Sequence, residues 1–222
     1  MNSDIAKFLR ANIKYVAVGQ GESLYSKFEE EFPIYSVSYL TDTLMEVFTS
    51  DQILSLFKNT LPESAFRFIE VDSIYVPDNI QSIGDYAFMD CTNLKRISLP
   101  AAVKFGKHVC DACQTLEYAE IRKGDGGCGF RTFSTCDWLT HVKVDSSIIN
   151  ESAFTGATRL SKVEIGTNVR QIENTVFTNC IRLYQVNYLG TKEQWDNITK
   201  YGWWKKHSPI KKLVCTDGEF DI

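Results

Sequence analysis

Three groups of residues have the types and spacing to do chemistry. Cys110-Asp-Ala-Cys113 is spaced like a redox or zinc pair, within a chain of 222 residues whose seven cysteines leave one thiol over after pairing. Val18-Gly19-Gln-Gly21-Glu22-Ser23 sets a glycine turn between a strand-like run and a helix start, the context in which backbone amides cradle a phosphate. The three histidines, His108, His141 and His207, could each act as a general base if a nucleophile faced them.

Each group lacks what its chemistry needs. A second Cys-x-x-Cys is missing, and a single such pair is weak evidence for a metal. The third glycine of a dinucleotide fingerprint is absent, no Gly-Lys-Ser/Thr follows, and Glu22 would repel an anion. The histidines lie far apart, and no serine, cysteine or carboxylate is evidently placed beside His141. Lys123-Gly-Asp125-Gly-Gly-Cys128 offers one carboxylate where calcium needs several oxygens. No catalytic, cofactor-binding or metal-binding residue is assigned, and the expectation is a protein that is not an enzyme and uses no cofactor.

The elements that would carry these residues explain most of them. Phe88-Met-Asp-Cys91-Thr-Asn-Leu94 recurs as Cys110–Leu116, Phe133–Leu139, Phe154–Leu160 and Phe177–Leu183, the leucines stepping by 22, 23, 21 and 23 residues. An alternating apolar pair follows each leucine: Ile97/Leu99, Ala119/Ile121, Val142/Val144, Val163/Ile165 and Val186/Tyr188. A fixed period near 23 is the mark of a solenoid. Cys91, Cys113, Cys136 and Cys180 share one place in the repeat, Cys110 stands where Phe88 stands, and Cys128 where Ile83 stands. Six of the seven cysteines are thus expected in the core as free, buried thiols.

Each unit reads as a short strand with one buried face. Pro77 and Pro100 stop the first two strands, since proline has no ladder donor. Gly84, Gly106 and Gly129 then mark a turn that would use glycine's conformational freedom. The Phe-x-x-Cys-x-x-Leu segment, with inward residues at i, i+3 and i+6, fits one or two helical turns. Ser64-Ala65-Phe66 opens a degenerate, capping unit.

These residues resemble the BspA-type leucine-rich-repeat family. Ile74 to Leu99, with Pro77, Ile80, Ile83-Gly84, Ala87-Phe88 and Cys91, matches its unit closely, while Val109-Cys110 and Ala157 depart from it. Gly190-Thr191-Lys-Glu-Gln-Trp195, then Trp203 and Cys215-Thr-Asp-Gly218, looks like the terminal unit that closes many such arrays. The resemblance covers about residues 63–219 and implies a stacked solenoid. It also implies a surface, adhesion or interaction part.

Residues 1–62 do not follow the repeat. Lys14–Val18 and Ile34–Leu40 alternate like strands, and Glu22–Glu31 reads as a helix stopped before Pro33. The expected fold class is α/β: a leucine-rich-repeat solenoid of about five units plus caps over 63–222, behind a small α/β domain over 1–62. Net charge is −4 with both signs mixed, so a nucleic-acid partner is not expected. No stretch reaches the roughly 18 apolar residues of a membrane span. The first ten residues lack a secretory signal, which points to the cytoplasm or an assembly rather than classical secretion.

Between the inward strand residues, outward ones should line a concave face. Arg96, Tyr118, His141, Lys162 and Gln185 form one row across units; Ser98, Glu120, Lys143, Glu164 and Asn187 form the next. Glu120, Lys143 and Glu164 alternate in charge, as do Arg122 and Asp145. The candidate partner-binding residues are Arg96, Tyr118, Glu120, His141, Lys143, Lys162 and Glu164, with a protein or glycan as the partner. A second candidate surface is the C-terminal end at Trp203 and Trp204, set among lysines. The alternative reading is a structural or display component of an assembly such as a phage virion or surface layer.

Overall fold

Alternating apolar residues every second position, repeated at a constant period, stack strands rather than fold them back as hairpins. The computed structural model describes Leu54, residues 59–102 and residues 104–222. The small α/β domain expected over residues 1–62 falls outside the described residues, apart from Leu54 and its last four positions.

In chain order the strands are β1 (Thr60–Leu61), β2 (Ser73–Tyr75), β3 (Ser82–Ile83), β4 (Arg96–Leu99), β5 (Lys104–Phe105), β6 (Tyr118–Gly127) and β7 (His141–Ile149). They continue as β8 (Lys162–Ile165), β9 (Gln171–Ile172), β10 (Gln185–Tyr188), the short helix α1 (Lys192–Asp196), β11 (Thr199–Lys200), β12 (Lys212–Cys215) and β13 (Gly218–Asp221). The main sheet runs β2-β4-β6-β7-β8-β10-β12-β13, so successive coils lie side by side. All neighbours pair in parallel except the last, where β13 turns back antiparallel on β12. Seven parallel rungs are present where about five units and caps were expected. Ile74/Val76 and Leu213/Cys215 belong to full rungs, which also accounts for the seventh cysteine.

The inward residues of every rung are buried, and the core runs unbroken from Leu61 to Cys215. Phe133, Phe154 and Phe177 stack with ring centres 5.5 Å apart, and Phe66 lies 5.3 Å from Phe88. Cys110 interrupts that column. All seven cysteines are buried and unpaired.

The Phe-x-x-Cys-x-x-Leu segment is not helical, so over the described residues the α/β expectation is corrected to a β-solenoid with almost no helix. Six successive coils each hold two residues four apart with left-handed backbone, such as Tyr86 and Asp90, both at φ 58°, and the last coil keeps one, His207. These reversals aim alternate amides at the next coil: Phe88 N–H donates to the Val109 carbonyl and Asp90 N–H to the Asp111 carbonyl. Others close tight turns, as Met89 N–H does on Tyr86. A helix would keep all these donors within the segment. Among the described residues from 59 onward the one helix is α1, with a reciprocal capping box between Thr191 and Gln194 and Trp195 buried beneath it.

The glycine turn is also built differently. Only Gly129, at φ +80°, uses left-handed freedom. Gly84 and Gly106 are needed for close approach: a Cβ there would fall 2.4 Å from Glu63 N and 2.5 Å from Asp85 N of the preceding coil. Where proline no longer intervenes, β6 and β7 run on through the corner for ten and nine residues. Gly126 permits this, since its Cβ would meet the Ala102 carbonyl oxygen at 2.0 Å.

Candidate functional site

The parallel register places the outward residues as the repeat demands. Arg96 pairs with Tyr118, Tyr118 with His141 and His141 with Lys162. In the next row Ser98, Glu120, Lys143, Glu164 and Asn187 follow one another. All seven candidates on this face are thus brought onto adjacent rungs.

Their side chains form two polar clusters on neighbouring rungs. Lys143 Nζ lies 3.0 Å from Glu120 Oε1, and Ser98 Oγ donates to Glu120 Oε2 at 3.1 Å. On the other side of Lys143, Glu164 takes Lys162 Nζ at 2.5 Å and sits 3.2 Å from His141 Nε2. That imidazole nitrogen is buried and lacks hydrogen-bond alignment, so at neutral pH its contact with Glu164 is one of proximity and becomes an ion pair only on protonation. The Arg96 guanidinium lies 4.7 Å above the Tyr118 ring, and Tyr118 meets His141 edge-on at 5.0 Å.

The protonation states follow from these contacts. The Glu120 hydrogen bond raises the Lys143 pKa, and the Lys162 hydrogen bond lowers that of Glu164. Loss of water contact, then the Lys162 charge, lowers that of His141 below 6.5. At neutral pH the face therefore presents fixed ionic pairs around a neutral imidazole.

Arg122 does not face Asp145. The β6–β7 register shifts after Ile121, and Arg122 reaches back to Asp78 at 2.7 Å, to Ser98 Oγ at 2.7 Å and to the Val76 carbonyl, over the Tyr75 ring. Asp145 instead accepts from Asn168 N–H.

At the C-terminal end the two tryptophans part company. Trp203 is 61% exposed, with Lys206 Nζ 4.5 Å from its ring centre. Trp204 is buried against Phe177 and Trp195, at 6.1 and 6.0 Å between ring centres, and closes the end of the core. As a contact residue Trp204 is therefore corrected to a core residue.

Two groups escaped the sequence reading. His108 Nδ1 lies 2.6 Å from buried Asp111, which also accepts from Thr135 Oγ1 at 2.8 Å. The i, i+3 spacing of His108 and Asp111 could have suggested the pair. Trp138 lies beneath the Arg159 guanidinium at 3.9 Å, and their shared place before the frame leucine was a usable signal. Among the described residues no cluster of three metal-ligating side chains forms, and no helix is long and apolar enough to cross a membrane.

Comparison with known proteins decides the family. A BspA type leucine rich repeat region, in six copies, matches residues 59–184. The chain belongs to the BspA-type leucine-rich-repeat family. No curated protein matches it. Among solved structures, it resembles a leucine rich cell surface protein from Faecalibacterium prausnitzii A2-165, at 25% identity and TM-score 0.52 over 59% of this chain and 35% of that one. It also resembles a leucine-rich repeat protein from Eubacterium ventriosum ATCC 27560, at 20% identity and TM-score 0.59 over 74% of this chain and 48% of that one. The second shows the fold alone. The BspA-type chain thus spans less than half the length of either solved relative.

Proposed function

We propose that the chain is a non-enzymatic recognition module that holds a protein or glycan partner against the exposed face of its parallel sheet. The observation that carries this reading is the pair of ionic contacts on adjacent rungs, Lys143 with Glu120 and Lys162 with Glu164, which hold these side chains before any partner arrives. Such preorganisation lowers the entropic cost of binding. Family membership supports it, because repeat arrays of this kind typically serve as binding scaffolds and stack their strands into extended surfaces. The Faecalibacterium prausnitzii neighbour is described as a cell surface protein, which favours an adhesive setting.

The test is a binding screen of the whole chain against arrayed extracellular-matrix proteins and glycans, repeated with Arg96→Glu and Lys143→Glu. Hits lost in both variants support the sheet face where the melting temperature falls only slightly, as expected when Lys143→Glu sets a third carboxylate between Glu120 and Glu164. Hits that survive both would sink it. Light scattering on the same samples separates a monomeric module from a component of a large symmetric assembly.

A further inference from the structure

The sheet edge at which each coil enters its strand carries a second group of exposed side chains. Trp138, Arg159 and Arg182 each stand immediately before a frame leucine, so they follow one another in successive coils. The first two touch, the guanidinium of Arg159 lying 3.9 Å from the Trp138 ring centre. The neighbouring column is fixed by backbone bonds from Ser161 N–H to the Thr140 carbonyl and from Lys211 N–H to the Tyr184 carbonyl. It sets Tyr184 and Lys211 beside the arginines. Trp138, Ile181 and Tyr184 are 49, 56 and 64% exposed.

Charge separates this edge from the ladder next to it. Lys143, Lys162 and Lys212 are each paired with a carboxylate, at Glu120, Glu164 and Asp221 respectively. Among the described residues, Arg159, Arg182 and Lys211 form no ion pair. Asp137 and Glu117 stand nearby in the repeat frame and are likewise outside any ion pair. In a chain of net charge −4, unpaired cations among exposed rings reverse the local sign.

We infer that this edge, from Trp138 to Lys211, docks an acidic polypeptide segment in which carboxylates alternate with apolar side chains. The inference rests on the recognition reading above and shifts the main contact from the ladder to its edge. Guanidinium forks take carboxylates in two parallel hydrogen bonds, and the coil spacing of about 4.8 Å sets the two arginines side by side. Tryptophan, tyrosine and arginine are the residues that carry most energy at protein interfaces. One face of Trp138 is already covered by Arg159, and Ile181 offers an apolar contact that sugar hydroxyls would not use. Both features favour a polypeptide over an anionic glycan.

The experiment selects a random peptide library on the whole chain and measures a synthetic peptide of the resulting consensus by calorimetry. The expected consensus spaces Asp or Glu with aliphatic residues. Its affinity should fall at least about tenfold in the Arg159→Glu, Arg182→Glu double variant, and should weaken as salt rises. No selected consensus, a neutral or basic one, or equal binding by the double variant would overturn the inference. So would an alginate polyuronate that binds through the same two arginines while acidic peptides do not. Loss on Lys143→Glu with no loss on the edge reversals leaves the sheet-face reading standing and removes this one. Indifference to both sets removes both.

Discussion

The thiol of Cys113 donates to the carbonyl of Phe88 in the preceding coil, at 3.0 Å. Cys91 does the same to Phe66 at 3.2 Å, Cys136 to Cys110 at 3.1 Å and Cys180 to Phe154 at 3.2 Å. The frame cysteine is therefore more than a small apolar filler: it supplies a buried donor to a carbonyl at the point where the chain reverses. Burial pushes the Cys128 and Cys180 thiols up to about 12. A hydrogen bond with Cys91, and then burial, raises Cys113 well above the usual range. Thiols held so far into the protonated form are poor nucleophiles. All seven are buried, so native protein should leave them unreactive to a bulky maleimide, and full labelling should require denaturant.

The same column contains its own control. Ala157 occupies the cysteine place one coil before Cys180 and is fully buried. Ala157→Cys should restore the missing donor to Phe133 and stabilise by about 0.5–1 kcal/mol. Cys180→Ala should cost about 1–2 kcal/mol, combining a lost donor with a small cavity. Urea midpoints decide it, and opposite signs from these would remove the donor role.

Ala112 holds φ 58°, in a column whose other members include Asp90, Asn179 and Gly156. Asparagine, aspartate and glycine tolerate the left-handed region, whereas alanine places its Cβ against its own backbone. Ala112→Gly should therefore stabilise by about 0.5–1 kcal/mol, despite the added freedom of the unfolded chain. A loss of stability on substitution would show that its methyl packing outweighs the strain.

How far the fold was legible depends on what periodicity can encode. The recurrence of Leu94, Leu116, Leu139, Leu160 and Leu183 states which side chains point inward, and the strand register, the thiol burial and the outward rows follow from it. Periodicity does not state where amides donate. The i, i+3, i+6 spacing of Phe88, Cys91 and Leu94 suits a helix and also a turn with two left-handed residues, and the inter-coil bonds select the turn. Arg122 was misplaced for a similar reason: alternation assumes regular pairing, and the register shift after Ile121 breaks it. Trp203 and Trp204 are indistinguishable by composition, and only the final coil's packing turns one in and one out.

Acid should weaken the fold through the sheet face. His141 is held below its ordinary 6.5, so as pH falls through 6.5 the unfolded chain takes the proton first and stability declines. Glu164 is held below its ordinary 4.5, so its contribution is present above 4.5 and lost as pH falls through the folded value. His141→Gln removes the first loss and leaves the second. Urea midpoints of wild type and variant at pH 8, 5.5 and 4 measure the difference. The gap between them should change from pH 8 to 5.5 in favour of the variant. A constant gap would contradict the assignment to His141.

The last two tryptophans separate closure from contact. Trp204 is 7% exposed and joins Phe177 to Trp195, so Trp204→Ala removes a large ring from the closing layer of the core. Its cost should be about 3–5 kcal/mol, with the loss greatest in the last coils, where no further rung covers the gap. Trp203 is mostly exposed and touches Lys206, so Trp203→Ala should stay within about 0.5 kcal/mol of wild type. Hydrogen exchange at Phe177 N–H, which donates to the Trp204 carbonyl at 2.9 Å, reports on the closing layer directly. Faster exchange in Trp204→Ala and unchanged exchange in Trp203→Ala are expected. Equal effects of the two substitutions would mean that Trp203 helps to seal the core, which would withdraw it as a contact surface.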